Sequence, residues 1–123
     1  MTLPTTFTGL VLPGHGQGDA VGARTANFDL ALATDLAPGL YACHATLDHQ
    51  DYRGLLYYGH NSLTGSDCLE VHFLNFTGNL YEKNITVTVD HYIREPKIFA
   101  DPASLKLQIA ADLRATNEYF LKK

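Results

Sequence analysis

Between Ile85 and Ile93 apolar and polar side chains alternate, with Ile85, Val87, Val89 and Ile93 on one face and Thr86, Thr88, Asp90 and Tyr92 on the other. Successive side chains of an extended chain point to opposite sides, so this period of two predicts a half-buried antiparallel strand. Runs of the same character predict further strands over Phe7 to Leu12, Gly39 to Leu47, Tyr52 to Tyr58 and Cys68 to Phe76. Turn-forming residues separate them at Asp48 to Asp51, Asn61 to Asp67 and Thr77 to Asn79. Connections this short favour hairpins and meanders over crossovers. Closing the sheet into a small barrel would remove its edges, the usual solution when five or six short strands share one core.

The period changes near the end of the chain. Asp101 can cap a helix, Pro102 fits its first turn, and Leu105, Ile109 and Leu113 recur every four residues. A helix is therefore predicted from about Pro102 to Phe120, its apolar stripe packed against the strands. With 123 residues, no internal repeat and no linker, the chain reads as one domain over residues 1–123 around one core.

Composition removes several function classes. Hydrophobic residues make up 46% and charged ones 18%, which excludes a disordered charged tail, a collagen and a coiled coil. The net charge is -4 and no basic stripe is visible, so no nucleic-acid partner is expected. A phosphate compound stays open, because backbone N–H groups or a metal ion can offset charge locally. Residues 2–6 lack the positive and apolar parts of a secretory signal, and no later run reaches membrane-spanning length. A cytoplasmic protein with no membrane partner is expected. Cys43 and Cys68 have no C-x-x-C spacing and read as two buried free thiols. The six histidines show no zinc-site spacing.

Residues 14–22 hold four glycines, Gly14, Gly16, Gly18 and Gly22, more than a strand or helix tolerates. Such a loop can bring several N–H groups onto one anion, although no Walker A lysine and no strand-loop-helix dinucleotide fingerprint accompanies it. Thr25 and Asn27 follow directly in Thr-Ala-Asn. If extended, they project to one side and offer a hydroxyl and an amide oxygen, neutral ligands that suit Mg²⁺ shared with nucleotide phosphates. A local Asx or Ser/Thr turn is the alternative reading.

Together these residues resemble the opening of the riboflavin kinase (flavokinase) family, a glycine-rich loop leading into Pro-Thr-Ala-Asn, with Gly9 as a further match. The likeness continues in order through Gly39-Leu40-Tyr41-Ala42, Gly59-His60-Asn61, Leu69-Glu70-Val71-His72, Gly78-Asn79-Leu80-Tyr81 and Tyr92-Ile93-Arg94-Glu95-Pro96-Lys97-Ile98-Phe99. It spans about Phe7 to Tyr119. The resemblance implies a mainly β fold, a six-stranded antiparallel Greek-key barrel with a C-terminal α-helix.

It also implies transfer of the γ-phosphoryl group of ATP to the 5′-hydroxyl of riboflavin, giving FMN and ADP; a monomer is expected. Gly14, Gly16, Gly18, Gly22, Thr25 and Asn27 would bind the nucleotide, and Thr25 and Asn27 would coordinate Mg²⁺ or another divalent cation. Glu70 would be the base. Arg94 would act at the active site and the flavin, and Phe99 would be a flavin contact or plain core. The family's proline is replaced by Arg24, Ser62 follows Asn61 where the family has proline, and Tyr58 stands at a usual isoleucine. The alternative is a catalytically weak or inactive module of the same fold that binds flavin or nucleotide. A small hydrolase using Glu70 and His72 is a thinner reading, since no nucleophile or oxyanion donor accompanies them. The nucleotidyl-transferase domain of many bacterial relatives has no counterpart in the sequence, so no FAD synthesis is expected.

Overall fold

The computed structural model describes residues 3–12, 24–33, 36–47, 49–61, 65–74, 76, 80, 83–97 and 101–121. Six strands form one sheet: β1 (Thr5–Leu10), β2 (Arg24–Phe28), β3 (Gly39–Leu47), β4 (Gln50–Asn61), β5 (Ser66–Phe73) and β6 (Asn84–Arg94). Among the described residues, a short 3-10 helix spans Leu30–Ala33 between β2 and β3, and one α-helix, α1 (Pro102–Leu121), follows the strands. All pairings are antiparallel and the order across the sheet is β1-β6-β3-β4-β5-β2. β3, β4 and β5 run as a meander and β6 returns beside β3, which is Greek-key topology. The sheet curls into a half-barrel. Its two edges meet where the Leu12 N–H donates to the Asn27 carbonyl at 2.7 Å, just past the end of β1.

Alternation decides which side of each strand is buried. Leu69, Val71 and Phe73 of β5 pack inward with Ala26 and Phe28 of β2, Leu56 of β4, Tyr41, Cys43 and Ala45 of β3, and Ile85, Val87 and Val89 of β6. Each large side chain of this set contributes roughly 1.5–3 kcal/mol by leaving water. On the opposite side Leu40, Ala42 and Leu55 are also buried, because α1 lies across β3 and β4. Its first turn is capped by Asp101, whose Oδ1 accepts from the Ser104 N–H at 2.7 Å. That bond and the Ser104 hydroxyl hold the Asp101 carboxyl below its usual pKa. At the other end the Tyr119 ring stacks on His91, centroids 4.6 Å apart and 6° from parallel, and the Arg53 guanidinium sits over Phe120.

Several sequence expectations need correction. The chain over Arg24 to Phe28 is a full strand, which the pattern had given only as a possible extension of Thr25 and Asn27. β4 is longer than Tyr52 to Tyr58, since a two-residue turn lets Leu47 pair with Gln50 and His49 takes a left-handed φ of 69°. β1 ends at Leu10 and β5 at Phe73, short of Leu12 and Phe76. The alternation of β6 breaks at two register shifts: Cys43 faces Val89 but Ala42 faces His91, and Tyr41 faces Tyr92 but Leu40 faces Arg94. Tyr92 thereby joins the inner side, edge-on to Tyr41 with centroids 5.3 Å apart, and Ile93 leaves it. On α1 the buried residues are Ile109, Asp112 and Thr116 rather than a Leu105-Ile109-Leu113 stripe, for a reason that lies in Arg94. Cys43 is buried and free as expected, whereas Cys68 is only half-buried.

Gly39 makes the turn into β3 possible. A Cβ there would lie 2.5 Å from Tyr92 Cε1 and 2.7 Å from the Arg94 carbonyl oxygen, and the backbone oxygen has little room to move. Gly39→Ala is expected to lower stability by about 1–3 kcal/mol in urea titration, because the strained backbone and the close approach both oppose a side chain.

Candidate active site

β2 is an edge strand whose ladder partner is β5, and its register places Thr25 opposite His72 and Asn27 opposite Glu70. Ala26, Phe28, Leu69 and Val71 fill the core, so the four polar residues share the outer face. The next strand continues both rows, with Tyr57 of β4 opposite Glu70 and Leu55 opposite His72. One row therefore reads Asn27, Glu70, Tyr57, Leu40, Arg94, and its neighbour reads Thr25, His72, Leu55, Ala42, His91.

Side-chain geometry follows from these rows. Thr25 Oγ1 lies 3.0 Å from His72 Nδ1. His72 Nε2 lies 3.6 Å from Glu70 Oε1. Glu70 remains partly open to solvent, while the His72 ring is buried. The Tyr57 hydroxyl donates to the His60 carbonyl at 2.6 Å. Burial, joined by Cys68, Glu70 and Asp67 and opposed by Arg94, pushes the Tyr57 phenol up to about 12. Tyr57 is thus a neutral donor beside Glu70 at ordinary pH. Burial first, then Glu70 and Asp67, pushes the Cys68 thiol up to about 12 as well.

Arg94 stands at the far end of its row, three strand steps or about 14 Å of sheet from Glu70. All three of its nitrogens donate: Nε and Nη2 to the two Asp112 carboxylate oxygens at 3.0 and 2.7 Å, and Nη1 to the Glu95 carbonyl at 2.9 Å. Such a two-pronged pair fixes both partners in orientation as well as in charge. The Asp112 side chain is only 4% exposed, and Gln108 Nε2 donates to its Oδ1. This explains the buried face of α1: the helix is rolled so that a carboxylate meets Arg94, and Thr116, one turn on, donates to the Asp112 carbonyl.

Of the sequence-predicted residues, the structure brings Thr25, Asn27 and Glu70 together, while Arg94 stands further along the same row, paired with Asp112 of α1 and near enough to act on the Tyr57 phenol. Gly14, Gly16, Gly18, Gly22 and Phe99 lie outside the described residues, as does Ser62. Arg24 opens β2 opposite Phe73. That is the first residue of an edge strand, where proline is also tolerated, so the ladder does not depend on which residue stands there. Sequence reasoning missed Tyr57 and Asp112. Tyr57 could have been found from its strand parity with Leu55, and Asp112 from its position one turn beyond Ile109 on the helix. Among the described residues no cluster of three or more His, Cys, Asp or Glu could hold a metal ion. No helix among them is long and apolar enough to cross a membrane.

Comparison with known proteins identifies the family. A sequence model of the Flavokinase family, described as riboflavin kinase, matches residues 1–120. The chain is 33% identical over 115 residues to a bifunctional riboflavin kinase/FMN adenylyltransferase of Pseudomonas fluorescens, covering 91% of this chain and 37% of that protein. It is 31% identical over 119 residues to the RNA-binding riboflavin kinase RibR of Bacillus subtilis, covering 94% of this chain and 51% of that one. A crystal structure described as a macrolide-efflux protein from Streptococcus pneumoniae superposes with a TM-score of 0.76 at 27% identity, over 93% of this chain and 38% of that one. The chain thus spans between about a third and a half of the length of these proteins. It belongs to the riboflavin kinase (flavokinase) family.

Two outcomes follow from the site's electrostatics. Asp112→Ala strands the Arg94 charge beneath α1 and is expected to lower stability by about 3 kcal/mol in urea titration. The high Cys68 pKa leaves little thiolate, so alkylation by iodoacetamide at pH 8 should run roughly a thousandfold slower than for a free cysteine. Its rate should keep rising tenfold per pH unit beyond pH 9, where a free thiol levels off.

Proposed function

We propose that this chain transfers the γ-phosphoryl group of ATP to the 5′-hydroxyl of riboflavin, releasing FMN and ADP. The observation that carries the reading is the β2–β5 register, which sets Asn27 directly opposite Glu70 with Thr25 one pleat away on the same face. Phosphoryl transfer asks little covalent chemistry of a protein and much positioning, so a phosphate-side oxygen pair beside a carboxylate is what the reaction needs.

Mg²⁺ fits this donor set. The Thr25 hydroxyl and the Asn27 amide oxygen are hard, neutral ligands, and two such ligands leave the remaining positions to water and phosphate, as this ion prefers. When bound, the ion neutralises charge developing on the transferring phosphoryl group. The chain's own residues do the rest. Thr25 and Asn27 hold the phosphate end at the β2 edge, with the backbone of Gly14, Gly16, Gly18 and Gly22 as the cradle. Glu70 accepts the proton of the riboflavin 5′-hydroxyl as the oxygen attacks phosphorus. Tyr57 lies beside Glu70 in the same row, with its hydroxyl hydrogen committed to the His60 carbonyl.

Arg94 serves in a different way from Glu70. Tied to Asp112, it holds α1 against the sheet, and in this reading it stands at the flavin end of the site. The protein acts as a cytoplasmic monomer on the two small substrates.

Purified protein incubated with riboflavin, ATP and Mg²⁺, then separated by chromatography and read by flavin fluorescence, is expected to form FMN with time and only when the metal is present. Glu70→Gln should lower kcat by roughly 10²- to 10⁴-fold while riboflavin still binds. Riboflavin binding without any FMN from the unaltered chain would replace the kinase by a flavin-binding module of the same fold. Full activity in Glu70→Gln would remove Glu70 from the chemistry.

A further inference from the structure

His72 is a polar ring in a place where most strand residues are apolar. It lies on β5 between Val71 and Phe73, both in the core, and its own side chain is 4% exposed on the opposite face. The imidazole has a polar neighbour at each nitrogen: Thr25 Oγ1 is hydrogen-bonded to Nδ1 at 3.0 Å, and Glu70 Oε1 lies 3.6 Å from Nε2, just beyond hydrogen-bond distance but within electrostatic contact. These two neighbours are the residues assigned above to the metal and to the base.

The chemistry of the two neighbours decides the tautomer. An ionised carboxylate only accepts hydrogen bonds, so the imidazole hydrogen belongs on Nε2, the nitrogen that faces Glu70. A neutral ring has one N–H, which leaves Nδ1 as an acceptor. The Thr25 hydroxyl must then be the donor of the 3.0 Å bond. With its hydrogen turned to His72, both Oγ1 lone pairs point elsewhere, as a hydroxyl must if it is to ligate a cation. A hydroxyl free to rotate would spend part of its time aiming that hydrogen at the ion.

We propose that His72 is a positioning residue: as the tautomer with hydrogen on Nε2, it turns the Thr25 hydroxyl into a preset oxygen ligand and holds the Glu70 carboxylate in line. The assignment rests on the kinase reading of the site and adds to it a coupling between the phosphate side and the base. Outer residues that orient a metal ligand commonly change affinity by about 10- to 100-fold when removed, which sets the expected scale.

Two amide substitutions separate the two ring nitrogens. His72→Asn keeps an acceptor where Nδ1 stood, and His72→Gln keeps a donor where Nε2 stood. Calorimetry with Mg²⁺-ADP should find His72→Asn within about threefold of the unaltered protein and His72→Gln weaker by about 10- to 100-fold. Steady-state kinetics should show the converse, with kcat falling more in His72→Asn than in His72→Gln. Nitrogen NMR of the unaltered, ligand-free protein should find hydrogen on Nε2 and none on Nδ1, a reading that needs no activity and no variant. Thermal melts of both variants report whether they fold.

Hydrogen on Nδ1, or equal loss of Mg²⁺-ADP affinity in the two folded variants, overturns the role of His72 and leaves the kinase reading standing. An unaltered protein that binds no Mg²⁺-ADP and makes no FMN overturns the kinase reading and this role with it.

Discussion

The register between β2 and β5 is the constraint on which the rest of the site depends. β2 is short and has a ladder on one side only, and what holds it in place is the burial of Ala26 and Phe28 against Leu69, Val71 and Phe73. A slip of β2 by one residue would expose Ala26 and Phe28 and turn Thr25 and Asn27 toward the core, away from Glu70 and His72. The hydrophobic effect therefore aligns the polar residues without any polar interaction having to do so. The single Leu12–Asn27 bridge then ties the same strand to the end of β1, so the edge that carries the candidate ligands is also where the half-barrel comes closest to closing.

The far end of the site is arranged by a different device. Two register shifts in β6 bring His91 and Arg94 to the face that α1 covers, and each finds a partner there, Tyr119 for His91 and Asp112 for Arg94. Bulges commonly re-aim side chains in this manner. The helix is thus positioned by stacking and by a two-pronged ion pair as well as by Ile109 and the apolar residues beneath it. Gly39 belongs to the same arrangement, because only a residue without Cβ lets β3 start so close to the Arg94 carbonyl.

Much of this was legible in the sequence. The unbroken alternation through Ile85, Val87 and Val89 gave β6, Gly39 to Leu47 was read with both ends correct, and Asp101-Pro102 marked the start of α1. Glu70 lies between Leu69 and Val71, so alternation alone turns it away from the core. The misses have physical causes. β2 is five residues long and contains Arg, Thr and Asn, too short and too polar for a periodic signal, so its strand character comes from pairing with β5. The bulges of β6 depend on which residue of β3 lies opposite, which no local pattern encodes. A stripe of leucines on α1 was the natural reading, yet Asp112 is buried in its place because Arg94, distant in sequence, arrives to pair with it. Likewise the link from Thr25 through His72 to Glu70 exists only once two strands are in register.

In the proposed function, one face of the β2–β5 pair gathers the phosphate side and the base. The most direct test of this arrangement is a crystal structure of the protein with Mg²⁺-ADP and riboflavin. Mg²⁺ is expected about 2.1 Å from Thr25 Oγ1 and from the Asn27 amide oxygen, with the riboflavin 5′-hydroxyl within hydrogen-bond reach of Glu70. Nucleotide or flavin bound elsewhere on the sheet, with Thr25 and Asn27 untouched, would contradict it.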